Sequence, residues 1–311
     1  MTTITAKVIA DSISPEGIRL TTFQLRYPLV IHAELMTHRV FSRNASSNRA
    51  IPVQKLIDEV KEDPFVPLKF YKNGKGMFPQ VEVTDLDEIR QLKSLWLMGR
   101  DEAVDQAESL AKVGLHKQYA NRVLMPYQHI NVLVSSTAYE NFFALRDHPD
   151  AMEEIQVLAR EMKSARGKST PKVLSPGDWH LPYVTETSEE FLEHSEVQGL
   201  VERGLSLDLV AAQCSSARCA RVSFNLHCGK KADLGEDLKL YKKLVGSAPL
   251  HASPTEHQGT PDAVVTDQTG GNRWGAPHYH GNFTGWFQHR KMLAFECAPE
   301  PSLWPNGEVL H

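Results

Sequence analysis

The segment from Thr37 to Arg49, Thr-His-Arg-Val-Phe-Ser-Arg-Asn-Ala-Ser-Ser-Asn-Arg, constrains the fold of this chain more than any other stretch. It follows the apolar run 27–36, which carries a proline near its start and is typical of the beginning of a helix. A short helix that runs into a Ser/Asn-rich loop brings many hydrogen-bond donors together. Arg49 can pair with a phosphate through its guanidinium fork, and Ser46, Ser47 and backbone amides can add donors. Any one of these residues could belong to a solvated loop, but their combination predicts an anion site.

Length and charge limit the class of protein. The 311 residues are 41% hydrophobic and 23% charged, which is enough for one large core or two smaller ones. A net charge of −4 argues against binding to a nucleic-acid polymer, which usually requires a basic surface. A free nucleotide needs only a local basic pocket. No apolar run approaches the roughly 20 residues of a membrane span, and the N-terminus has no signal-peptide core, so we expect a cytoplasmic protein without a membrane partner.

The cysteines and histidines do not form a recognisable metal site. No two cysteines are spaced Cys-x-x-Cys, and in a reducing compartment we expect free thiols at Cys214, Cys219, Cys228 and Cys297. The first two lie in an Ala/Ser-rich helical stretch, where a small buried side chain is the simplest role. Several histidines of the last quarter of the chain lack a typical ligand spacing, at positions 251, 257, 278, 280 and 289. No Gly-x-Gly-x-x-Gly motif indicates a dinucleotide-binding domain.

Hydrophobic periodicity predicts both strands and helices. Strands are predicted over 3–10, 17–25 and 130–136. Helices are predicted over 51–60, 86–113, 116–126, 139–145, 149–165, 189–203, 207–222 and 234–245. The stretch 63–83 has no periodicity, and the chain after 245 is predicted to be rich in loops. A Pro/Gly-rich stretch suggests a linker at 167–188 between a first part, 1–166, and a helical part, 189–311, which together are expected to form one compact catalytic unit.

The donor-rich segment resembles the signature of the flavin-dependent thymidylate synthases, Arg-His-Arg-x2-Ser-x-Asn-x2-Ser-x-Arg. Six of the seven fixed positions match: His38, Arg39, Ser42, Asn44, Ser47 and Arg49. Thr37 stands where the family has its first arginine, and Ala45 stands where many members have glutamate. The resemblance implies an α+β fold, with a mixed or antiparallel sheet and a helical bundle.

Two later segments are also similar to the family. The stretch 121–126, Asn-Arg-Val-Leu-Met-Pro, resembles the Ala-Arg-x-x-Leu-Pro segment, and 141–146, Asn-Phe-Phe-Ala-Leu-Arg, resembles the Asn-Phe-x-x-Leu-Arg helix. By this likeness Arg122 binds the nucleotide and Asn141 contacts the flavin. Arg146 contacts the pyrimidine and favours ionisation at N3, which makes it the implied catalytic residue.

Other family segments occur in an altered order. The family's Ala-Arg-Val-Ser and His-x-Thr-Pro-x-Glu-His segments normally precede the signature, but here the similar stretches 219–224 and 251–257 follow it. The resemblance therefore implies a circular permutation, which a fold tolerates when its termini lie close together. Phage-encoded members resemble this arrangement, which would place the chain in a host cytoplasm. Ser223 and Ser253 would then lie near His38 and contact the flavin.

The resemblance implies a complete reaction. The 5′-phosphate of dUMP would lie against Ser46, Ser47, Arg49 and Arg122, with Arg146 at the pyrimidine. FAD would be held by residues of the signature and the permuted segments: His38, Arg39, Asn44, Asn141, Ser223 and Ser253. NADPH reduces the flavin, and methylenetetrahydrofolate donates the carbon, giving dTMP without a cysteine nucleophile. The family is homotetrameric and builds its active sites between subunits.

Two alternatives remain open at the level of sequence. The same scaffold could carry a flavin-dependent hydroxymethylase or hydroxylase acting on dUMP or dCMP for modified DNA, since Thr37 and Ala45 depart from the family pattern. The chain could also be a catalytically silent nucleotide-binding homologue. The side chains that read the base edge are not identifiable from sequence, so uracil and cytosine are both open.

Overall fold

A five-stranded sheet forms the centre of the protein in a computed structural model that describes residues 3–76, 80–222, 233–246, 250–266, 268–294 and 296. Its strands are β1 (Thr5–Ile13), β2 (Arg19–Pro28), β3 (Ser42–Ala45), β4 (His129–Ser136) and β5 (Lys172–Val173). They lie in the order β3-β4-β2-β1-β5, and only β1 and β5 run parallel. The predicted strand pair at the N-terminus is confirmed, with Gly17 at a φ of 78° in the turn that joins β1 to β2.

The first face of the sheet carries the main hydrophobic core. Side chains alternate along β2, so that Phe23, Leu25 and Tyr27 are buried on this face, with Ile130, Val132 and Val134 of β4 beside them. Three helices cover them: α1 (His32–Met36), α5 (Glu140–Arg146) and α6 (Glu153–Lys168). The apolar run before the signature therefore forms a helix as predicted, preceded by a single 3-10 turn at Leu29–Ile31.

A smaller core lies beside the start of β4. Helices α2 (Val53–Glu62) and α3 (Leu86–Lys112) pack with α4 (Lys117–Ala120) and the 3-10 helix Asn121–Tyr127. Asp85 begins α3, because its side chain accepts hydrogen bonds from the backbone amides of Asp87 and Glu88. The predicted helix 116–126 is divided in two, and Pro126 lies within the 3-10 part. This happens because the chain tightens as it approaches a proline, which lacks the amide donor of an α-helix.

The second face of the sheet packs against the later half of the chain. Helix α9 (Leu207–Arg221) packs with α7 (Ser188–Leu192), α8 (Ser195–Glu202) and α10 (Leu234–Val245). The single helix predicted over 189–203 is wrong, since His194 has an extended backbone and separates α7 from α8. Capping boxes at Thr187 and Asp233 begin α7 and α10. The Pro/Gly-rich stretch before α7 contributes β5 and the buried His180, so it contacts the sheet at these two points.

The end of the chain is rich in loops, as predicted. It contains two short strand pairs, β6 (Gly259–Pro261) with β9 (Trp286–Gln288) and β7 (Val264–Thr266) with β8 (Asn272–Trp274). Single 3-10 turns occur at Ser253–Glu256, Pro277–Tyr279 and His289–Met292. None of the described helices combines the length and apolar composition needed to cross a membrane.

Candidate active site

The signature segment is only partly the loop that the sequence predicts. Residues 38–41 form a turn, in which the Phe41 amide donates to the His38 carbonyl at 3.2 Å. The next four residues form β3 and pair antiparallel with β4, so that Ser42 lies opposite Ser135 and Asn44 opposite Leu133. The prediction of a continuous loop is wrong here because the open edge of β4 supplies partners for the backbone amides and carbonyls of these residues.

Strand β3 binds the later half of the chain through its inward side chains. The Ser42 hydroxyl accepts a hydrogen bond from Gln288 Nε2 at 3.0 Å, and Asn44 Nδ2 donates to the Cys219 carbonyl at 3.2 Å. Asn44 is 9% exposed. Its amide nitrogen is therefore used within the protein, which limits what it can offer to the flavin that the sequence assigns to it.

One group of polar side chains meets at the start of the signature. This group, the Arg146 cluster, consists of Glu34, Thr37, His38 and Arg146. Arg146 Nη1 donates to Glu34 Oε2 at 2.9 Å, Nη2 to Thr37 Oγ1 at 3.2 Å, and Nε to His38 Nε2 at 3.1 Å. Glu34 lies on α1, Thr37 and His38 directly follow that helix, and Arg146 is the last residue of α5. The packing of both helices on the sheet therefore brings together positions more than 100 residues apart. Arg146 thus contacts Thr37 and His38 of the signature segment directly.

His38 is held as a neutral hydrogen-bond acceptor. Burial lowers its pKa, and the positive charges of Arg146 and Arg43 lower it further. Because Arg146 donates to Nε2, the ring proton must lie on Nδ1. The ring is stacked on Phe41 at 5.7 Å between centroids and meets the edge of Phe142 at 5.0 Å. His38 is therefore fixed in position and is 8% exposed.

A second group lies beyond the other end of β3. It consists of residues 46–49, which we call the phosphate loop after the role that the sequence predicts for them, and of Arg122 in the 3-10 helix. The Ser46 amide donates to the Asn131 carbonyl at 2.9 Å, and the Arg49 amide donates to Ser47 Oγ at 3.3 Å. Arg49 and Arg122 are exposed. Neither makes a salt bridge to any residue that the structure describes.

Asn121 fixes the phosphate loop beside Arg122. Its Nδ2 donates to the carbonyls of Asn48 at 2.8 Å and Ile51 at 3.0 Å, while Asn48 Nδ2 donates to Gln128 Oε1 at 2.8 Å. Asn121 is fully buried, so these bonds hold the loop against the 3-10 helix that carries Arg122. The structure therefore brings together the predicted nucleotide-binding residues of 46–49 and 122.

The remaining predicted residues are placed differently. Arg39 and Asn141 are exposed, the first in the turn before β3 and the second in the first turn of α5. Ser253 is exposed at the start of its 3-10 turn, and Ser223 lies outside the described residues.

The turn that contains Ser253 lies beside β3. Gln288 Nε2 donates both to Ser42 Oγ and to the carbonyl of Glu256, and the Ser135 hydroxyl lies 2.8 Å from His257 Nδ1. The proximity that a circular permutation requires is therefore present for 253–257 and for Cys219, while the permutation itself stays a prediction.

Several residues of this region were not identified from sequence. Glu34 is the only acidic residue in the apolar run 27–36, and this is the one sequence feature that could have identified it as a site residue. No sequence signal marks three other residues, because their hydrogen-bond partners lie far away in sequence: Asn121, Gln128 and Gln288. An amide side chain shows no periodic pattern that would reveal such a partner.

The described cysteines and histidines offer neither a thiolate nor a metal site. Cys214 and Cys219 are free and fully buried, and burial raises the pKa of the Cys214 thiol to about 12. Burial also raises the pKa of Cys219. Within the described ranges, no group of three or more His, Cys, Asp and Glu side chains could hold a metal ion.

Comparison with known proteins identifies the family. Residues 18–172 match the family described as thymidylate synthase complementing protein, a range that includes both clusters and β2 to β4. Over these residues the chain belongs to that family. The family predicted from the signature is thereby confirmed, together with its α+β fold. No curated protein matches the chain.

Two solved structures are similar to part of the chain. Both are of PolB, a UMP/dUMP methylase from Streptomyces cacaoi, bound with 5-Br UMP in one and 5-Br dUMP in the other. The first has a TM-score of 0.47 and 19% identity, and covers 54% of this chain and 90% of its own. The second has a TM-score of 0.46 and 18% identity, and covers 54% of this chain and 91% of its own.

Proposed function

We propose that the chain is a flavin-dependent thymidylate synthase that converts dUMP to dTMP, with methylenetetrahydrofolate as carbon donor and NADPH as reductant. The observation that carries this proposal is the family match across residues 18–172, because the matched range contains both the phosphate loop and the Arg146 cluster. The phosphate loop has the chemistry that the 5′-phosphate requires, and the Arg146 cluster has the chemistry that the pyrimidine ring requires.

The phosphate loop suits the 5′-phosphate. Arg49 and Arg122 are exposed and make no ion pair within the described residues, so both guanidinium groups can turn toward a phosphate without breaking an existing pair. Charge-assisted hydrogen bonds from arginine to phosphate oxygens are short and strong. Because Asn121 holds the loop in place, binding requires little ordering of the chain.

The Arg146 cluster suits the pyrimidine ring. Arg146 is held in one orientation by Glu34, Thr37 and His38, so its charge is in place before the ligand arrives. A preorganised positive group beside the O2/N3 edge stabilises the negative charge that develops on the ring. Exposed apolar side chains flank the cluster, and their surface suits a planar ring: Met36, Val40 and Leu145.

The residues around this surface fit a flavin in part. Arg39 and Asn141 are exposed and available to hold it, and Ser253 is exposed in the turn beside β3, whereas Asn44 is engaged by Cys219. When bound, reduced FAD supplies the hydride that completes the methyl group. The chain's own part is to bind and orient the nucleotide, without covalent help from Cys214 or Cys219, whose thiols are buried and protonated.

The separation of the two clusters favours a site shared between copies of the chain. The four residues of β3 span about 13 Å at roughly 3.3 Å per residue, and they lie between His38 and Ser46. We propose that a homotetramer joins the Arg146 cluster of one subunit to the phosphate loop of another.

Flavin content and turnover test the proposal directly. The purified and desalted protein should show flavin absorbance or acquire it on reconstitution with FAD, and it should convert dUMP with methylenetetrahydrofolate and NADPH. Mass spectrometry of the product distinguishes a methyl from a hydroxymethyl group. A protein that stays colourless after reconstitution and gives no dTMP would show that the proposed function is wrong.

A further inference from the structure

Arg146 has few donors left for a ligand. A guanidinium has five N–H groups. Four hydrogen bonds within the chain use the N–H of Nε, both N–H groups of Nη2 and one N–H of Nη1. Its partners are the Glu34 side chain and carbonyl, Thr37 Oγ1 and His38 Nε2. One N–H of Nη1 remains, next to the carboxylate that holds the same nitrogen. Arg146 therefore cannot offer a free two-pronged fork to a base.

Glu34 supplies a second recognition group at the same point. Its Oε2 accepts from Arg146 at 2.9 Å, while Oε1 has no hydrogen-bond partner in the described part of the chain. The Glu34 side chain is 34% exposed and that of Arg146 is 20% exposed, so both reach the surface. The pair thus presents a carboxylate acceptor beside an N–H donor. Met36 and Leu145, the exposed apolar neighbours, can shield this pair from water once a ring covers it.

The complementary base edge has a donor beside an acceptor. Uracil presents N3–H between two carbonyl oxygens, whereas N3 of cytosine is itself an acceptor and the cytosine donor lies on the exocyclic N4. A cytosine would have to shift by one ring position to meet the pair. A phosphate held at Arg49 and Arg122 would oppose that shift.

We propose that Glu34 determines specificity for uracil, with Oε1 accepting the uracil N3–H while Arg146 Nη1 donates to the adjacent carbonyl oxygen. This inference rests on the proposed function, because it takes Arg146 to face the base. It goes further by assigning the choice between uracil and cytosine to an acidic residue outside the signature.

Binding of three nucleotides to four proteins tests the inference. The nucleotides are dUMP, N3-methyl-dUMP and dCMP, and the proteins are the wild type, Glu34→Gln, Glu34→Ala and the control Glu140→Gln. Glu140 lies on α5, and its exposed carboxylate pairs with Arg166 at 3.4 Å, away from the Arg146 cluster. The control therefore removes a carboxylate charge from a different ion pair, on the helix that carries Arg146.

The wild type and Glu140→Gln should bind dUMP about 10- to 100-fold more tightly than either other nucleotide, the range for one hydrogen bond to a charged group. In Glu34→Gln a single amide oxygen must accept hydrogen bonds from both Arg146 and the base, so the preference for dUMP over the other two nucleotides should fall several-fold. In Glu34→Ala, which removes the acceptor, the preference should approach unity.

Other outcomes overturn the inference. If Glu34→Gln weakens all three nucleotides equally, Glu34 only holds Arg146 in place. Equal wild-type affinity for dUMP and N3-methyl-dUMP, or tighter binding of dCMP, also contradicts the inference. These measurements use only the wild type, so they test the inference even if the Glu34 variants fail to fold. Absence of any dUMP binding by the wild type would instead refute the proposed function, and this inference with it.

Discussion

Arg146 and Arg49 have different electrostatic surroundings, and that difference separates their roles. Arg146 is enclosed by Glu34, Thr37 and His38, whereas Arg49 is exposed on a loop without an ion pair among the described residues. Charge on a pyrimidine grows during its reaction, but the charge of the phosphate hardly changes. A contact to the base therefore affects turnover, and a contact to the phosphate affects binding.

We expect Arg146→Lys to lower kcat about 100-fold or more, because lysine keeps the charge but cannot reproduce the planar contacts to Glu34, Thr37 and His38. Arg49→Ala should instead raise the KM for dUMP about tenfold or more while leaving kcat nearly unchanged. Steady-state kinetics with dUMP, methylenetetrahydrofolate and NADPH, repeated with dCMP, measure both effects.

Arg160→Lys is a suitable control, since Arg160 is half exposed on α6 and pairs with Asp147 outside the cluster. It should behave as the wild type. Near-normal turnover by Arg146→Lys would show that Arg146 does not activate the pyrimidine and would leave only the phosphate half of the site.

At the scale of elements, a buried charge network joins α9 to α10. Arg218, 1% exposed, donates to Asp237 Oδ2 at 2.7 Å and to Glu186, and Arg221 also pairs with Asp237. Burial alone would raise the pKa of Glu186, but the hydrogen bonds and charge of Arg218 outweigh it and lower that pKa to about 2. The network fixes the end of α9, whose Cys219 carbonyl binds Asn44 of β3.

Asp237→Ala should destabilise the protein by about 3–5 kcal/mol, because it leaves two buried arginines without their shared carboxylate. Denaturant unfolding monitored by circular dichroism measures this change. Asp233→Ala removes an aspartate from the same helix but only a capping box, so it should cost about 1 kcal/mol. Equal losses in the two variants would mean that the network contributes no more than a helix cap.

At the scale of the whole molecule, a buried polar chain crosses the second face of the sheet. His180 bonds Ser12 and Thr22 at 2.8 Å each, Thr22 bonds Ser135 at 2.6 Å, and Ser135 bonds His257 at 2.8 Å. Burial lowers the pKa of both histidines to about 3, and for His257 the nearby His180 adds to the effect. Both rings are therefore neutral in the folded protein at pH 7.

Acid should unfold the protein through these histidines. The unfolded chain binds protons at them below about pH 6.5, whereas the folded protein does not until about pH 3, so stability is lost as pH falls between these values. Each histidine should contribute a slope of up to about 1.4 kcal/mol per pH unit. Urea unfolding between pH 4.5 and 7 measures the slope.

His257→Gln should reduce that slope by one histidine's share, while His148→Gln, at an exposed position, should leave it unchanged. Glutamine can still bond Ser135, which keeps the comparison close to isosteric. An unchanged slope in His257→Gln would indicate that His257 does not titrate during unfolding.

Sequence predicted the elements whose signals are local. The strand pair at the N-terminus, the α3 helix and α10 agree with their predicted ranges to within a few residues, because periodicity and capping residues lie within the elements themselves. The signature and the segments carrying Arg122 and Arg146 were also sufficient to identify the family, which the match over 18–172 confirms. These features depend on residues close together in the chain.

Only the tertiary structure decided which residues meet. Residues 42–45 of the signature form strand β3 because β4, encoded about 90 residues later, has an open edge there. Glu34 became a partner of Arg146 only because α1 and α5 cover the same face of the sheet. His180 and His257 likewise carry no local signal of burial, yet the layer of chain after 167 encloses both. Local sequence fixes which backbone geometry is favourable, but the free energy of a buried polar contact depends on partners that the whole fold supplies.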